Sequence, residues 1–143
     1  MDSMFSVAVH ALVYLNHKNC IVSSEALAEN ICTNPARVRK VMAVLKKAGL
    51  VTTKTGQVGG YRFDGDAQKL TLEQVASALG VRFVDCTWRS GDEDMECLVA
   101  SGMADIMDSI YLQLDRQCRD SLRHITIADI DQKIFGQGKE IIL

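Results

Sequence analysis

Proline is nearly missing from this sequence: among 143 residues there is one, Pro35. So few chain breakers permit a largely helical protein. No apolar run approaches the ~18 residues that a membrane-spanning helix needs. The N-terminus also lacks a basic stretch, an apolar run and a cleavage site in signal-peptide order. A cytoplasmic protein is therefore expected. There the five cysteines are expected to be thiols, ligands or redox groups rather than structural disulfides. Equally missing are a Ser–His–Asp order, a glycine-rich phosphate loop and a paired-histidine metal motif. The three histidines, His10, His17 and His124, lie in or beside expected helices. Enzyme chemistry is not expected. With no low-complexity linker and no internal repeat, the length suits one domain, or one domain with an appendage.

Acidic residues are missing from one stretch in particular. Between Asn34 and Phe63 there is no Asp or Glu, but seven basic residues: Arg37, Arg39, Lys40, Lys46, Lys47, Lys54 and Arg62. The whole chain holds 16 basic and 18 acidic residues, so a molecule of net charge −2 has sorted its charge into a positive island. Such sorting is the footprint of a phosphate-binding surface. The first half of the island reads as a helix. Asn34 can cap it and Pro35 suits its first position. Val38, Val41, Met42 and Leu45 recur on one face. Gly49 suits a left-handed C-terminal position, followed by apolar Leu50. The second half reads as a β-hairpin: Val51–Thr55, a glycine turn at 56–60, then Tyr61–Phe63. A helix apolar on one side and small or basic on the other can dock on a core and lie in a DNA major groove. The blander alternative is a solvated Lys/Arg face on an ordinary surface helix.

The other elements follow from the same signals. Met4 to His17 reads as a helix burying Phe5, Ala8, Val9, Leu12, Val13 and Leu15, with His10 inside the pattern. Cys20–Val22 is a short extended piece able to pair with the hairpin. A helix begins at Ser23 or Ser24 and reaches Ile31. Cys32 and Thr33 turn from it into the basic helix, which makes a helix-turn-helix. Thr71-Leu72-Glu73-Gln74 is a capping box opening a helix to about Leu79. Residues 81–100 lack a steady period and read as a loop carrying Cys86, Trp88 and Cys97. A long helix from about Leu98 or Gly102 to His124 carries a stripe of Met103, Met107, Ile110, Leu114, Cys118 and Leu122, with Ile106 and Tyr111 beside it. Twenty-two residues span about 33 Å, a length that commonly packs against a second copy. Thr126 caps a last short helix with Ile127, Ile130, Ile134 and Phe135. The tail after Gly136 is expected to be loose.

This order of elements resembles the Rrf2 family of bacterial winged-helix transcription regulators. The resemblance rests on AVHALVYL, on SSEALAENI followed by NPARVRKVMAVLKKAGLV, on GGYRF, on LTLEQVASALG and on LRHITIADI, and so covers nearly the whole chain. It implies a mainly α fold with a small β-wing. Residues 1–80 would form a winged helix-turn-helix domain and 81–100 a sensor-type loop. Residues 101–143 would form a dimerisation helix and a C-terminal helix. It implies a homodimer on double-stranded DNA, acting as a repressor under redox or small-molecule control. The implied DNA-contact positions are Asn34, Ala36, Arg37, Arg39, Lys40 and Lys47 on the helix, and Lys54, Gln57, Gly59, Gly60 and Tyr61 on the wing. Where family wings often carry Arg before the first glycine, this chain has Thr55, so either the wing's DNA contact is weaker or Lys54 substitutes.

Cluster-binding members of the family place three cysteines in the loop before the long helix. This loop has Cys86 and Cys97. Two thiolates do not complete the four-ligand set of an iron–sulfur cluster. A cluster held by Cys86, Cys97 and His10 is one alternative, and a winged-helix adaptor without a DNA role is another. The reading taken is cluster-free, with no cofactor, and with Cys86, Cys97 and Cys118 as candidate sensor thiols. Arg82 and Arg89 would lower a nearby thiol pKa while Asp85, Asp92 and Glu96 would raise it, so no activated thiol is assigned. Cys20 and Cys32 are read as structural.

Overall fold

The computed structural model describes residues 3–136; the expected loose tail beyond Gly136 lies outside them. Six helices and one hairpin follow in order: α1 (Met4–Lys18), α2 (Ser24–Ile31), α3 (Pro35–Lys47), β1 (Thr52–Lys54), β2 (Gly60–Arg62), α4 (Leu72–Leu79), α5 (Leu98–Leu122) and α6 (Ile127–Asp131). A single π-helical turn, Gln132–Gly136, continues α6. The chain divides into two compact units: a first, of the described segments before residue 82 and after residue 121, and a second, of residues 82–121.

The helix punctuation is local chemistry. Ser23 caps α2, accepting from the Ala26 N–H at 3.1 Å. Asn34 caps α3, accepting from the Arg37 N–H at 2.8 Å, with Pro35 behind it. Thr71 and Gln74 close the expected capping box of α4, and Thr126 with Asp129 closes a second on α6. α3 ends in a Schellman motif: Leu50 N–H donates to Leu45 O and Gly49 N–H to Lys46 O, both at 2.9 Å, around a left-handed Gly49.

The turn between α2 and α3 uses the same device with a less suitable residue. Cys32 is left-handed at φ +63°, and Thr33 N–H returns to Ala28 O at 3.0 Å. A side chain there costs about 1–2 kcal/mol, against about 0.5–1 kcal/mol of unfolded-state entropy that glycine would add. Cys32→Gly is thus expected to raise stability by about 0.5–1 kcal/mol. Urea unfolding of variant and parent checks this; a destabilised variant contradicts it.

The first unit holds the core. Leu12, Leu15, Leu27, Val38, Val41, Met42, Leu45, Val75 and Ile127 are fully buried, so α1, α2, α3, α4 and α6 share one interior. All four apolar residues expected on the α3 face are in it. On α1 the buried face is rotated slightly from expectation: Val7 and Ala11 are buried, while Phe5 and Val9 are half-buried.

α6 differs from the sequence-based grouping with residues 101–143. It packs in the first unit through α1, and the backbone ties it to the segment before α4. Leu72 N–H donates to Ile125 O at 2.8 Å, Ile127 N–H to Leu70 O at 3.0 Å and Ala128 N–H to Ala67 O at 2.9 Å.

In the second unit α5 buries no apolar side chain; its one buried residue is Asp115. That carboxylate accepts from the N–H groups of Phe83 at 2.6 Å and Val84 at 3.1 Å, and from Arg119 Nε at 3.3 Å. Burial opposes its charge, but the Val84 and Phe83 amides and Arg119 outweigh that and hold it below the ordinary carboxylate range. Farther along the loop, Arg89 pairs with Asp105 at 2.8 Å and with Asp108. These contacts fasten the cysteine-bearing loop to α5.

Candidate nucleic-acid interface

α3 presents two opposite faces. Val38, Val41, Met42 and Leu45 point into the core. Ala36, Lys40, Ala43 and Lys47, spaced by four, three and four residues, fall together on the other side and are all exposed. Small alanines between lysines let a helix approach closely while cations reach sideways to phosphates. Arg37 and Arg39 flank that stripe.

The flanking arginines are not equivalent. Arg39 Nη2 pairs with Glu25 Oε1 at 2.9 Å, and its Nε donates to Ser24 Oγ at 3.2 Å. It therefore ties α3 to the start of α2. The Glu25 carboxyl is held below its ordinary range, first by its own backbone N–H and then by Arg39 and Ser24. Arg62 is likewise paired, with Asp64 at 2.8 Å. Among the described residues, Arg37, Lys40, Lys46, Lys47 and Lys54 have no carboxylate partner.

The wing is a short antiparallel ladder, Thr52 opposite Arg62, Thr53 opposite Tyr61 and Lys54 opposite Gly60. Val22 bridges to Tyr61 from outside it, with Val22 N–H to Tyr61 O at 2.9 Å and Tyr61 N–H to Val22 O at 2.8 Å. This is the pairing expected of the extended piece at 20–22. At the tip, Lys54 and Gln57 are exposed.

The structure divides the sequence-derived contact residues into two sets. Ala36, Arg37, Lys40, Lys47, Lys54 and Gln57 stand along the exposed face of α3, on its flank or at the wing tip. The others have work inside the fold. Asn34 uses its oxygen as a cap, and Arg39 bridges α2. A side chain at Gly59 would meet Lys54 O at 2.5 Å, and one at Gly60 would collide with the Val22 carbonyl. Tyr61 is half-buried against the core. Ala43 shares the exposed face with Lys40 and Lys47.

Cys86 and Cys97 are exposed and Cys118 is half-buried; Cys20 and Cys32 are exposed too. Cys97 immediately precedes α5. The N–H of Ala100, then that of Val99, lower its thiol pKa against a small opposing effect of burial. Arg82 and Arg89 are engaged by Asp85, at 3.7 Å, and by Asp105 and Asp108. His10 Nε2 donates to Asn30 Oδ1 at 2.7 Å. Among the described residues, no three His, Cys, Asp or Glu side chains come together as a metal-holding group. Nor is any described helix long and apolar enough to cross a membrane.

The model of the Rrf2 family, described as iron-dependent transcriptional regulators, matches residues 1–133. The chain belongs to the Rrf2 family. Its relatives include YwnA of Bacillus subtilis (strain 168), named as an HTH-type transcriptional regulator, 25% identical over 137 residues that cover 94% of this chain and 99% of that one. IscR of Vibrio campbellii (strain ATCC BAA-1116), also named as an HTH-type transcriptional regulator, is 25% identical over 91% of this chain and 71% of its own length. A crystal structure of a Lactobacillus plantarum protein described as a transcriptional regulator superposes with a TM-score of 0.82 at 26% identity, covering 96% of this chain and 93% of the other. As a member of this family the chain is a DNA-binding transcription regulator, not an enzyme, and the mainly helical fold with its two-stranded wing agrees.

Proposed function

We propose that this Rrf2-family regulator acts as a homodimeric, operator-specific repressor, with thiol chemistry as its input and no resident cluster. The observation that carries the DNA reading is the exposed Ala36/Lys40/Ala43/Lys47 stripe set opposite the buried face of α3. Dimerisation is supported by α5, where Ile106, Ile110 and Leu114, four residues apart on one face, are all exposed. A second α5 would cover them. Two copies of α3 would then address successive major grooves, about one turn or ~34 Å apart. The test is a gel shift with the DNA upstream of the protein's own gene. Lys40→Glu and Lys47→Glu are each expected to weaken binding at least tenfold; a double variant binding like the parent would sink the interface.

For the input, Cys97 supplies the reactive thiol, since two amides at the start of α5 stabilise its thiolate. Anaerobically purified protein is expected to be colourless. Its Cys97 should react with iodoacetamide at pH 7 roughly tenfold faster than Cys86, in line with the preference for thiolate. Peptide mapping reads the rates. A brown, iron-loaded preparation, or a Cys97 no faster than Cys86, contradicts this part.

A further inference from the structure

A guanidinium carries five N–H donors, and the fold engages Arg39 along one edge only. Its Nε donates to Ser24 Oγ at 3.2 Å and its Nη2 to Glu25 Oε1 at 2.9 Å. Ser24 Oγ in turn donates to Glu25 Oε2 at 3.2 Å, so the three side chains close a ring. Ser24 is buried, while Glu25 and Arg39 are exposed. The other edge of the guanidinium, Nη1 with the second Nη2 proton, has no partner among the described residues. An ion pair whose side chains are 53% and 66% exposed adds little to stability. What the ring does is hold a long side chain in one orientation, so that less freedom is lost when its open edge binds.

The ring also stands in the right place. Ala36 lies three residues before Arg39 and Ala43 four after it, so its neighbours along that side of α3 are methyl groups. On the other side Ser23, Ser24 and Glu25 wall a cleft of about 530 Å³ whose opposite wall is the wing, from Thr53 to Tyr61. Arg39 is therefore set between the lysine stripe and the wing, the two parts of the DNA-contact surface. Its charge is met by Glu25, which suits it poorly to phosphate, but its open donors remain. Two parallel donors match the O6 and N7 acceptors of guanine in the major groove. Adenine sets an N6 donor beside its N7, and thymine offers O4 alone, so neither accepts both. We propose that Glu25, braced by Ser24, is a positioning residue that presents Arg39 to one guanine in each operator half-site. The inference rests on the operator-specific reading above and deepens it, naming the base that one side chain reads.

The test is selection by the full chain from a random double-stranded DNA library, with bound and unbound fractions sequenced. The parent should favour guanine about tenfold or more at one position of each half-site, in line with a bidentate contact. Arg39→Ala should lose that preference and keep those at other positions. Glu25→Ala, with Arg39 intact, should cut the same preference about fivefold or more. The double variant should match Arg39→Ala, because Glu25 acts through the arginine. Glu25→Lys separates positioning from plain electrostatics: an added cation should raise overall affinity for DNA, yet the guanine preference should fall as in Glu25→Ala. Both residues are exposed, and circular dichroism checks that each variant folds; Glu25→Lys serves should Glu25→Ala not. Base preferences equal to the parent's in the Glu25 variants, whatever their affinity, overturn the proposal, since the ring would then only tie α2 to α3. So does a guanine preference that survives Arg39→Ala. Those outcomes defeat this inference alone. A parent that enriches no sequence defeats the operator-specific reading, and this inference with it.

Discussion

Raising KCl from 50 to 200 mM is expected to weaken operator binding by about 10³-fold, because each phosphate contact releases condensed counterions. The number of cations free to meet phosphate sets that loss. Of the seven basic residues between Asn34 and Phe63, Arg39 and Arg62 are already paired with Glu25 and Asp64. Arg37, Lys40, Lys46, Lys47 and Lys54 have no such partner among the described residues. In a dimer that gives a supply larger than the roughly six phosphate contacts assumed here. Six contacts correspond to a log–log slope of about −5, and a fourfold rise in salt then costs about three orders of magnitude. Fluorescence anisotropy with a labelled operator fragment over a KCl series measures the slope directly. A slope shallower than about −2 would mean that the lysine stripe is not on the backbone, and the adaptor reading would gain. Arg39→Ala should leave the slope nearly unchanged even if affinity falls, because its partner is on α2. Lys47→Ala should reduce the slope by about two, one contact being lost from each protomer.

What sequence reading recovered here was local. Asn34, Pro35 and Gly49 bound α3 because capping and C-terminal turns are decided within a few residues. The Thr71 box did the same for α4, and the periodicity of Val38, Val41, Met42 and Leu45 fixed the buried face. The pairing of Val22 with the wing was also readable, since a lone β-branched stretch near a hairpin has few other partners. What escaped was set by distant neighbours. Ile127 and Ile130 show that α6 has an apolar side, but nothing in their spacing says that Leu70 and Ala67 receive its first N–H groups. Counting charge from 34 to 63 cannot reveal that Glu25, outside the window, holds Arg39. For Cys97, side-chain charges say nothing of the Ala100 and Val99 amides that lower its thiol pKa, which become visible only once the first residue of α5 is known. Gly60 is the instructive case. The family resemblance offers it as a DNA-contact position, while the structure supplies a close backbone partner from the protein itself, Val22.

Gly60→Val is accordingly expected to be among the most damaging single substitutions in the DNA-binding unit. A Cβ at this position would run into the carbonyl group of Val22, with the Ser23 N within 2.9 Å as well. These are backbone atoms, so no rotamer change relieves the overlap. The chain must move the 20–23 segment or swing β2 away. Either movement breaks the two hydrogen bonds between Val22 and Tyr61, at 2.8 and 2.9 Å. Each is worth about 1 kcal/mol net, and unsatisfied buried groups add more. It also displaces Val22 and Tyr61 from their packing, and Ser23, the cap of α2, shifts with them. A loss of about 3 kcal/mol is expected, a large share of a typical ~5–15 kcal/mol total. Thermal unfolding should show a fall on the order of 10 °C. Because the overlap begins at Cβ, Gly60→Ala should already lose most of this, whereas Gln57→Ala at the exposed tip should leave stability within about 0.5 kcal/mol. The three variants together separate the two roles of the wing. If Gly60→Ala is as stable as the parent but cannot bind operator, the glycine serves the DNA and not Val22. If it unfolds early and Gln57→Ala loses only DNA affinity, the glycine holds the wing on the domain and the tip does the contacting.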